Sequence, residues 1–572
     1  MVANVRSRGG VALLSAGLLL ILAGSLTAHI IQTAGGTRLL DIRFVGGAGN
    51  LMSGLLYVPR SATQKTPAPA VLAVHGYFNS RETQGDFALE FARRGYVVLA
   101  IDQPGHGLSD PPAFANRFGG PDGLAYLRSL PFVDKDNVGL EGHSMGGWSV
   151  VNAAAAFPQG YRAMVLEGSS TGAPFGPEGT PLFPRNIAVV FSKLDEFSQT
   201  MWGVSSGAEV TQSKKLWRLF DTDRPVVPGH LYGSLEQGTG RMLYTPPGTH
   251  PMDHISRTAI GDSIDWFQRT LRGGVPKSPA DQIWPWRELG TLIALIGFVL
   301  LMLGALEGLL TLPHFAPLLA APWPGRARRD AGWWGALILG VALPAVTLLP
   351  FFQLGGRWLP ASHWLPQAFT NEVVIWALLN ALVLQLLRLV PEVPRPTFNS
   401  PVGRCMVLAV LTVLIGYSAV VAADFLFKVD FRVWFIAFKA MSLGQAKTFL
   451  VYLVPFTLYF IVALRALHSA LPVSTDSRAR AYLVNVLALA SGVMLLLALE
   501  YGSLLATHHL LTWFMNDALR VIIAINFVPL LSIVAIISTF AFHRTNSYLP
   551  GAFVAGLLVA WYAVVGQATQ VP

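Results

Sequence analysis

Two contrasting patterns of hydrophobic and polar positions divide the chain. Between about residues 37 and 272, apolar runs are short and are separated by charged residues, prolines and polar turns. Short buried strands alternating with amphipathic helices predict a mostly parallel sheet with helices on both faces. From residue 288 onward the apolar runs lengthen to about 20 residues, which is the length of a membrane-spanning helix. The predicted fold class is therefore an α/β domain joined to an all-α polytopic membrane domain.

The α/β part is predicted to begin with a hairpin and to end with a helix before the Gly273-Gly274 break. The predicted strands are 39–44, 51–58, 70–74, 96–102, 136–140 (a turn leading into a strand), 161–167, 187–191 and 241–244. The predicted helices are 87–94, 148–156 and 258–271. The pattern thus predicts an α/β domain at 37–272, a linker at 273–287 and a membrane domain at 288–572.

The long apolar runs of 288–572 predict about eight spanning helices. They lie near 289–312, 332–352, 372–390, 405–427, 448–468, 482–505, 519–541 and 549–566. A further run at 11–31 follows Arg6 and Arg8 and is also long enough to cross a bilayer. A cleaved signal peptide is the alternative. Because the run is long for one, residues 1–36 are predicted to be an uncleaved transmembrane signal anchor.

The distribution of arginines predicts the orientation, because loops rich in Lys and Arg stay on the cytoplasmic side. With the amino end of the anchor inside, the predicted cytoplasmic loops contain Arg326, Arg328, Arg329, Arg388, Arg395, Arg404, Arg465, Arg478, Arg480 and Arg544. The basic loop 428–447 departs from the rule, and its aromatic residues predict an amphipathic segment at the interface. The prediction is a multi-pass inner-membrane protein with a cytoplasmic amino end and an extracytoplasmic α/β domain.

Composition supports a membrane protein and argues against a nucleic-acid-binding protein and against disulfides or cysteine-based metal sites. Of the 572 residues, 52% are hydrophobic and 13% are charged, whereas soluble domains carry about 25% charged residues. The net charge is +9, but the basic residues gather between apolar spans rather than interleaving with aromatics. Membrane lipids are therefore predicted partners and nucleic acid is not. Cys405 is the single cysteine, which excludes disulfides and cysteine-based metal sites.

A short glycine-flanked serine motif carries the candidate chemistry. Gly142-His143-Ser144-Met145-Gly146 has the pattern Gly-x-Ser-x-Gly, with a predicted strand before it and the predicted helix 148–156 after it. A serine on such a strand-to-helix turn has a strained backbone. The glycines are needed because a Cβ there would collide with the neighbouring strand and helix. The pattern therefore predicts a nucleophile elbow at Ser144.

Three motifs in order carry a family resemblance. They are His75-Gly76-Tyr77, then Asp102-Gln103-Pro104-Gly105-His106-Gly107-Leu108-Ser109, then Gly142-His143-Ser144-Met145-Gly146-Gly147. In this order they resemble the α/β-hydrolase superfamily, over roughly residues 40–272. The resemblance implies an α/β-hydrolase fold. It also implies a serine nucleophile that is followed along the chain by an acid and then by a histidine.

The resemblance implies His250 as the histidine, because a strand and a proline-glycine turn precede it and the last helix follows it. His254 is the alternative. For the acid it implies Asp195, in the turn after the strand 187–191, and Glu196 and Glu167 remain alternatives. The expected roles are a base that takes the serine proton and a carboxylate that orients the imidazole.

Two backbone N–H groups are predicted to form the oxyanion hole, those of Met145 and Tyr77. Asp102 precedes the serine, so it is expected to hold the 102–109 loop by hydrogen bonds rather than to act as the acid. The histidines at 75, 106 and 143 lack metal-ligand spacing, and no glycine pattern for a nucleotide stands between a strand and a helix. No metal and no cofactor are therefore predicted.

Long connections at 172–185 and 204–240 predict a cap around 172–240 over Ser144. Its aromatic residues either line an apolar substrate site or form the cap's own core; they are Phe175, Phe183, Trp202, Trp217 and Tyr232. An apolar lining would suit an acyl or aromatic substrate.

The sequence as a whole predicts a membrane-anchored serine hydrolase with a Ser-His-Asp acyl-enzyme mechanism. Carboxylic esters with apolar acyl groups, or lipids, are the favoured substrates because the site is tethered near the bilayer. A serine peptidase or amidase is the runner-up, and a transporter or sensor with a non-catalytic ectodomain is the alternative from another class. The ionisable residues in the spans, which would be functional candidates, are Glu307, Glu372, Asp424 and Glu500.

Overall fold

The computed structural model describes residues 2–321, 323, 325–387, 400–511 and 517–571. They form two compact units. The α/β unit consists of Thr27–Leu289 together with the described residues of 503–512 and 566–572. The helical unit consists of the chain up to Leu26, Gly290–Gly502 and the described part of 513–565. Among the predicted cytoplasmic arginines, Arg388 and Arg395 lie outside the described residues.

The first helix, α1, covers Val2–Gln32. The strands of the α/β unit are β1 (Arg38–Val45), β2 (Leu51–Val58), β3 (Ala68–Val74), β4 (Val97–Asp102), β5 (Val133–His143), β6 (Ala163–Glu167), β7 (Ile187–Val190) and β8 (Arg241–Tyr244). Its helices are α2 (Gly85–Ala92), α3 (Gly120–Ser129), α4 (Met145–Ala156), α5 (Ser198–Trp202), α6 (Lys214–Phe220) and α7 (Arg257–Thr270). Each predicted strand and helix is present, and α3, α5 and α6 are additional.

The eight strands form one sheet in the order β1-β2-β4-β3-β5-β6-β7-β8. The hairpin β1–β2 is antiparallel, as is the β2–β4 pair, and every later neighbour is parallel. The predicted α/β class with a mostly parallel sheet is confirmed.

The central strands β3, β4, β6 and β7 are buried on both faces, which explains why they are continuous apolar runs, whereas the edge strand β1 is largely exposed. Successive residues of a strand point to opposite faces, so Leu72 of β3 joins one core and Val71 joins the other. The first core includes side chains of α3 and α4, and the second includes side chains of α2 and α7. This double cover leaves the carboxyl edge of the sheet as the place where loops can form a site.

The helical unit continues with α8 (Trp284–Leu310, whose first turns belong to the α/β unit), α9 (Ala331–Trp358), α10 (Ala368–Leu387), α11 (Val402–Phe427), α12 (Leu443–Ala470), α13 (Arg478–Thr507), α14 (Ala518–Ile525), α15 (Phe527–Thr545) and α16 (Leu549–Gly566). Over the described residues, nine segments are long and apolar enough to cross a membrane, with α14 and α15 counting as one. They correspond to the apolar run at 11–31 and to the eight later runs.

Loop 428–447 includes an element that the sequence did not predict. It contains a two-stranded hairpin of β9 (Phe431–Val433) and β10 (Ile436–Phe438). Phe431 and Phe438 are fully buried, with rings 5.9 and 5.0 Å from that of Phe298 on α8. These two aromatic side chains therefore pack into the helical unit, and the interfacial position of the loop stays a prediction.

Helices α1 and α8 pack with their backbones almost in contact. A Cβ added at Gly17 would lie 2.5 Å from the Leu301 nitrogen, and one at Gly304 would lie 2.5 Å from the Leu14 nitrogen. A Cβ at Gly24 would lie 2.5 Å from the Ala294 nitrogen, and one at Gly297 would lie 2.7 Å from the Ile21 nitrogen. Small residues at such crossings allow close van der Waals packing between helices in lipid.

Two of the carboxylates in the candidate spans are paired between helices. Glu307 accepts from Arg544 Nε at 2.5 Å, and Glu372 binds Arg520 through both of its oxygens at 2.8 Å. A paired charge inside a bundle fixes the arrangement of its helices. These two glutamates therefore serve as inter-helix ties in the structure.

Candidate active site

The candidate residues meet at the carboxyl edge of the sheet. The strands β3, β5 and β6 end at Val74, His143 and Glu167 and stand side by side in the sheet. Loops after parallel strands converge at this edge, which is where open α/β sheets bind ligands. Ser144 follows β5 directly, and Asp195 and His250 follow β7 and β8 in the chain.

Ser144 has a strained backbone, with φ of 54° and ψ of −122°. A positive φ is uncommon for a residue that carries a Cβ, and it costs about 1–3 kcal/mol. Hydrogen bonds hold the turn: Ser144 N–H donates to Glu167 O at 2.9 Å, and Ser169 Oγ donates to Ser144 O at 2.6 Å. The geometry is that of the predicted elbow.

The glycines of the motif have the predicted steric reason. A Cβ at Gly142 would lie 2.3 Å from Gly146 O, and one at Gly146 would lie 2.0 Å from Val74 O. Helix α4 therefore approaches β5 at Gly142 and β3 at Gly146 only because both positions lack a side chain.

The structure brings His250 and Asp195 together. His250 Nδ1 lies 2.9 Å from Asp195 Oδ2, and both side chains are buried. The Phe197 N–H donates to the second carboxylate oxygen, Asp195 Oδ1, at 2.8 Å, so both oxygens of Asp195 have a partner. A carboxylate bound to Nδ1–H leaves Nε2 as the ring nitrogen that can accept a proton.

The backbone at Glu167–Gly168 contacts both the candidate nucleophile Ser144 and the candidate base His250. The Glu167 carbonyl holds the Ser144 nitrogen, as described above. Gly168 has φ of +51°, and a Cβ added there would lie 2.9 Å from His250 Nδ1. The imidazole thus packs on the glycine of the same peptide whose carbonyl binds the serine. No sequence motif indicated this position.

The three alternative residues have other contacts. Glu196 Oε2 accepts from the backbone N–H of His250 at 2.8 Å, so it holds the main chain of the histidine rather than its ring. Glu167 accepts from Ser263 Oγ on α7. The His254 ring is buried 4.0 Å from the His143 ring, and Phe87 is at its edge.

Burial controls the protonation of the pair. It lowers the pKa of His250, which keeps the imidazole neutral near pH 7 and able to accept a proton. Burial also raises the pKa of the Asp195 carboxyl, and the hydrogen bond from Phe197 N–H opposes that shift. The Phe197 N–H therefore offsets only part of the cost that burial places on the charged form of Asp195.

The two predicted oxyanion donors lie next to Ser144. Met145 is the first residue of α4, so its N–H is one of the groups that the helix leaves without an internal partner. A Cβ at Gly76 would lie 3.0 Å from Ser144 Cβ, which places the Gly76–Tyr77 peptide beside the serine. Backbone N–H groups in these positions suit a developing negative charge.

Asp102 has the structural role that its position before the serine suggested. It accepts the backbone N–H of Leu108 at 3.0 Å and that of Arg81 at 2.9 Å. His75 Nε2 accepts from Gln103 N–H at 3.1 Å, and His106 Nδ1 lies 3.0 Å from Pro104 O. Within the described ranges, no group of three or more His, Cys, Asp or Glu side chains could hold a metal ion.

A row of aromatic rings extends from the elbow. Trp148 of α4 packs 4.8 Å from Phe175 of the cap, and Phe175 packs 5.7 Å from Phe118. Phe118 in turn contacts Phe114, which contacts Tyr77 at 5.3 Å. Phe114 and Phe175 stay about two-fifths exposed, so this row offers an apolar surface near Ser144.

Of the five cap aromatics, Phe175 alone belongs to this row. Trp202 is fully buried in the first core, and three others pack against that core; they are Phe183, Trp217 and Tyr232. The cap therefore uses most of its aromatic residues to stabilise itself.

The sheet order and the strained serine after β5 give the α/β unit a mostly parallel α/β fold with Ser144 on a strand-to-helix turn, as the motifs predicted. Residues 65–201 match the family model described as serine aminopeptidase, S33. The chain thus combines an α/β unit, part of which matches a hydrolase family model, with a helical region containing candidate membrane spans.

Among curated proteins, the 2-hydroxy-6-oxononadienedioate/2-hydroxy-6-oxononatrienedioate hydrolase of Cupriavidus pinatubonensis is 41% identical over 80 residues. That alignment covers 14% of this chain and 28% of the relative, so the chain spans less than a third of the curated relative's length. Among solved structures, an esterase of Pyrococcus furiosus is 14% identical with a TM-score of 0.29, covering 41% of this chain and 91% of that one. A dienelactone hydrolase of Anabaena variabilis is 17% identical with a TM-score of 0.28, covering 41% and 99%.

Proposed function

We propose that the protein is a serine hydrolase that cleaves carboxylic esters with apolar acyl groups. The observation that carries the proposal is the strained Ser144 at the carboxyl edge of the sheet, beside a buried His250–Asp195 pair with a 2.9 Å contact. A neutral imidazole that is oriented by a carboxylate is what a serine hydroxyl needs to become a nucleophile.

In the proposed reaction, Ser144 Oγ attacks the ester carbonyl while His250 Nε2 takes the hydroxyl proton. Asp195 keeps the proton on Nδ1 and stabilises the imidazolium. The N–H groups of Met145 and Tyr77 donate to the oxyanion. The imidazolium then protonates the departing alcohol, and water releases the acid from the acyl-enzyme by the same steps.

The preference for an apolar acyl group is supported by the aromatic row that begins at Trp148. Rings that are partly exposed beside a nucleophile can bury an alkyl or aryl chain, and each buried CH₂ contributes about 0.8 kcal/mol. We therefore expect kcat/KM to rise with acyl chain length until the row is covered.

Covalent labelling tests the nucleophile. The full-length protein in detergent should react with a fluorophosphonate probe, and the Ser144→Ala variant should not react. The variant has to unfold at a temperature similar to that of wild type for the comparison to count. Equal labelling of both proteins, or no labelling of a folded wild type, would show that Ser144 is not an activated nucleophile.

A matched substrate series separates the ester proposal from the peptidase alternative, which the family model's description favours. p-Nitrophenyl esters of graded chain length and aminoacyl p-nitroanilides share a chromophore class but differ in the scissile bond. Faster turnover of the anilides would favour an aminopeptidase with the same proposed Ser144 mechanism.

We further propose that the chain is retained in the membrane by α1, with the α/β unit on the extracytoplasmic side. The close packing of α1 on α8 supports retention, since cleavage after α1 would remove a helix whose backbone contacts Leu301. The arginine-rich predicted cytoplasmic loops support the orientation.

Cysteine labelling on intact cells tests this orientation. The one native cysteine, Cys405, is buried. Gln64→Cys in the α/β unit should react with a membrane-impermeant maleimide, and Ala327→Cys in a predicted cytoplasmic loop should react only after permeabilisation; both positions are exposed. The reverse pattern would place the α/β unit in the cytoplasm.

A further inference from the structure

A segment far along the chain from the elbow, residues 566–571, belongs to the α/β unit. It follows α16 directly and runs beside the loop after β4. Thr569 N–H donates to Gly105 O at 2.8 Å, and Ala113 N–H donates to Thr569 O at 2.8 Å. Thr569 is thus held through both of its main-chain groups, between two stretches of the loop that contains the 102–109 motif.

Gly105 allows this close approach. Its φ is +72°, and a Cβ there would lie 2.5 Å from Thr569 O and 2.4 Å from Ala113 N. The glycine of the motif therefore serves the fit of the 566–571 segment as well as the local turn.

The next residue, Gln570, binds the side chain of Tyr77, the residue whose backbone N–H is a predicted oxyanion donor. Gln570 Nε2 donates to the Tyr77 hydroxyl at 2.7 Å. The Tyr77 ring is packed 3.9 Å from Phe78 and 5.7 Å from His106. Tyr77 is therefore fixed at its hydroxyl end by Gln570 and along its ring by neighbouring aromatic groups.

We propose that Gln570 is a positioning residue for the oxyanion hole, acting through the side chain of Tyr77 on the orientation of the Tyr77 N–H. This inference rests on the proposed function. A donor contributes to catalysis only when it points at the developing charge, and a loop peptide can rotate away unless its side chain is held. Gln570 lies more than 400 residues from Tyr77 in the sequence.

The expected signature is a change in kcat with little change in KM, because the oxyanion exists in the transition state and not in the bound ester. Removing a whole oxyanion donor costs about 10²–10³-fold in kcat. A misaligned donor should cost less, so Gln570→Ala should lower kcat by about tenfold.

A double-mutant cycle on the full-length protein tests the link between Gln570 and Tyr77. Tyr77→Phe removes the hydroxyl that Gln570 binds and keeps the backbone N–H, so it should lower kcat to a similar extent. The double variant should be no slower than the slower single variant, because both changes remove the same contact. Fully additive losses would overturn the proposal.

A conservative variant separates positioning from a general loss of structure. In Gln570→Glu the carboxylate can accept a hydrogen bond from the Tyr77 hydroxyl, so kcat should recover most of the loss seen in Gln570→Ala. Wild-type kinetics in Gln570→Ala, a rise in KM alone, or a loss that follows the unfolding temperature and is not rescued by Glu would each overturn the proposal. Absence of fluorophosphonate labelling in wild type would instead overturn the proposed function.

Discussion

Replacing His250 by alanine is expected to lower kcat for ester hydrolysis by about 10⁵–10⁶-fold, since loss of the base alone removes nearly all the benefit of the triad. The reason is local. His250 is the histidine whose ring nitrogen contacts the buried Asp195, and burial keeps it neutral. Steady-state kinetics on a short-chain p-nitrophenyl ester provide the measurement, with thermal unfolding as the check on the fold.

His254→Ala is the matched control, because both histidines lie in the same short turn, His250–Ile255. The His254 ring packs against His143 and Phe87 in the interior, so its removal leaves a cavity and should cost about 1–3 kcal/mol of stability. Its kcat should stay near that of wild type. A collapse of kcat in His254→Ala together with an active His250→Ala would exchange the two assignments.

Asp195→Asn is expected to lower kcat by about 10⁴-fold while the protein stays folded. The carboxylate accepts Phe197 N–H on one oxygen and faces His250 Nδ1 with the other. An amide in its place can donate to Nδ1, which favours the tautomer with the proton on Nε2, and it cannot stabilise the imidazolium. The pre-steady-state rate of acylation should fall with kcat.

Glu196→Gln and Glu167→Gln are near-isosteric comparisons for the other two carboxylates. The Glu196 side chain can still accept the His250 backbone N–H through its amide oxygen, so its kcat should fall little. Glu167 contacts Ser263, and its substitution should change stability rather than kcat. A larger loss of kcat in either variant than in Asp195→Asn would assign the acid to that residue.

The hydrophobic pattern predicted the strands and helices of both units because the burial of an element shows directly in the spacing of its own apolar residues. Strands covered on both faces are continuous apolar runs, and spanning helices need about 20 apolar residues. Both can therefore be recognised in the sequence without knowledge of the fold. The sequence did not predict the hairpin in 428–447, because aromatic residues suit a membrane interface and a buried hairpin equally well. The burial of Phe431 and Phe438 against Phe298 is visible only in the tertiary structure.

The sequence by itself determined the class of fold and the candidate nucleophile, because the elbow demands glycines at fixed spacing around Ser144. It also narrowed the acid and the base to a few positions each. The tertiary structure alone decided which of those positions meet, since the 2.9 Å contact of Asp195 with His250 depends on how the loops after β7 and β8 close over the sheet edge. It alone also brought Gln570 to Tyr77, because a hydrogen bond between residues so far apart depends on packing and not on any local pattern.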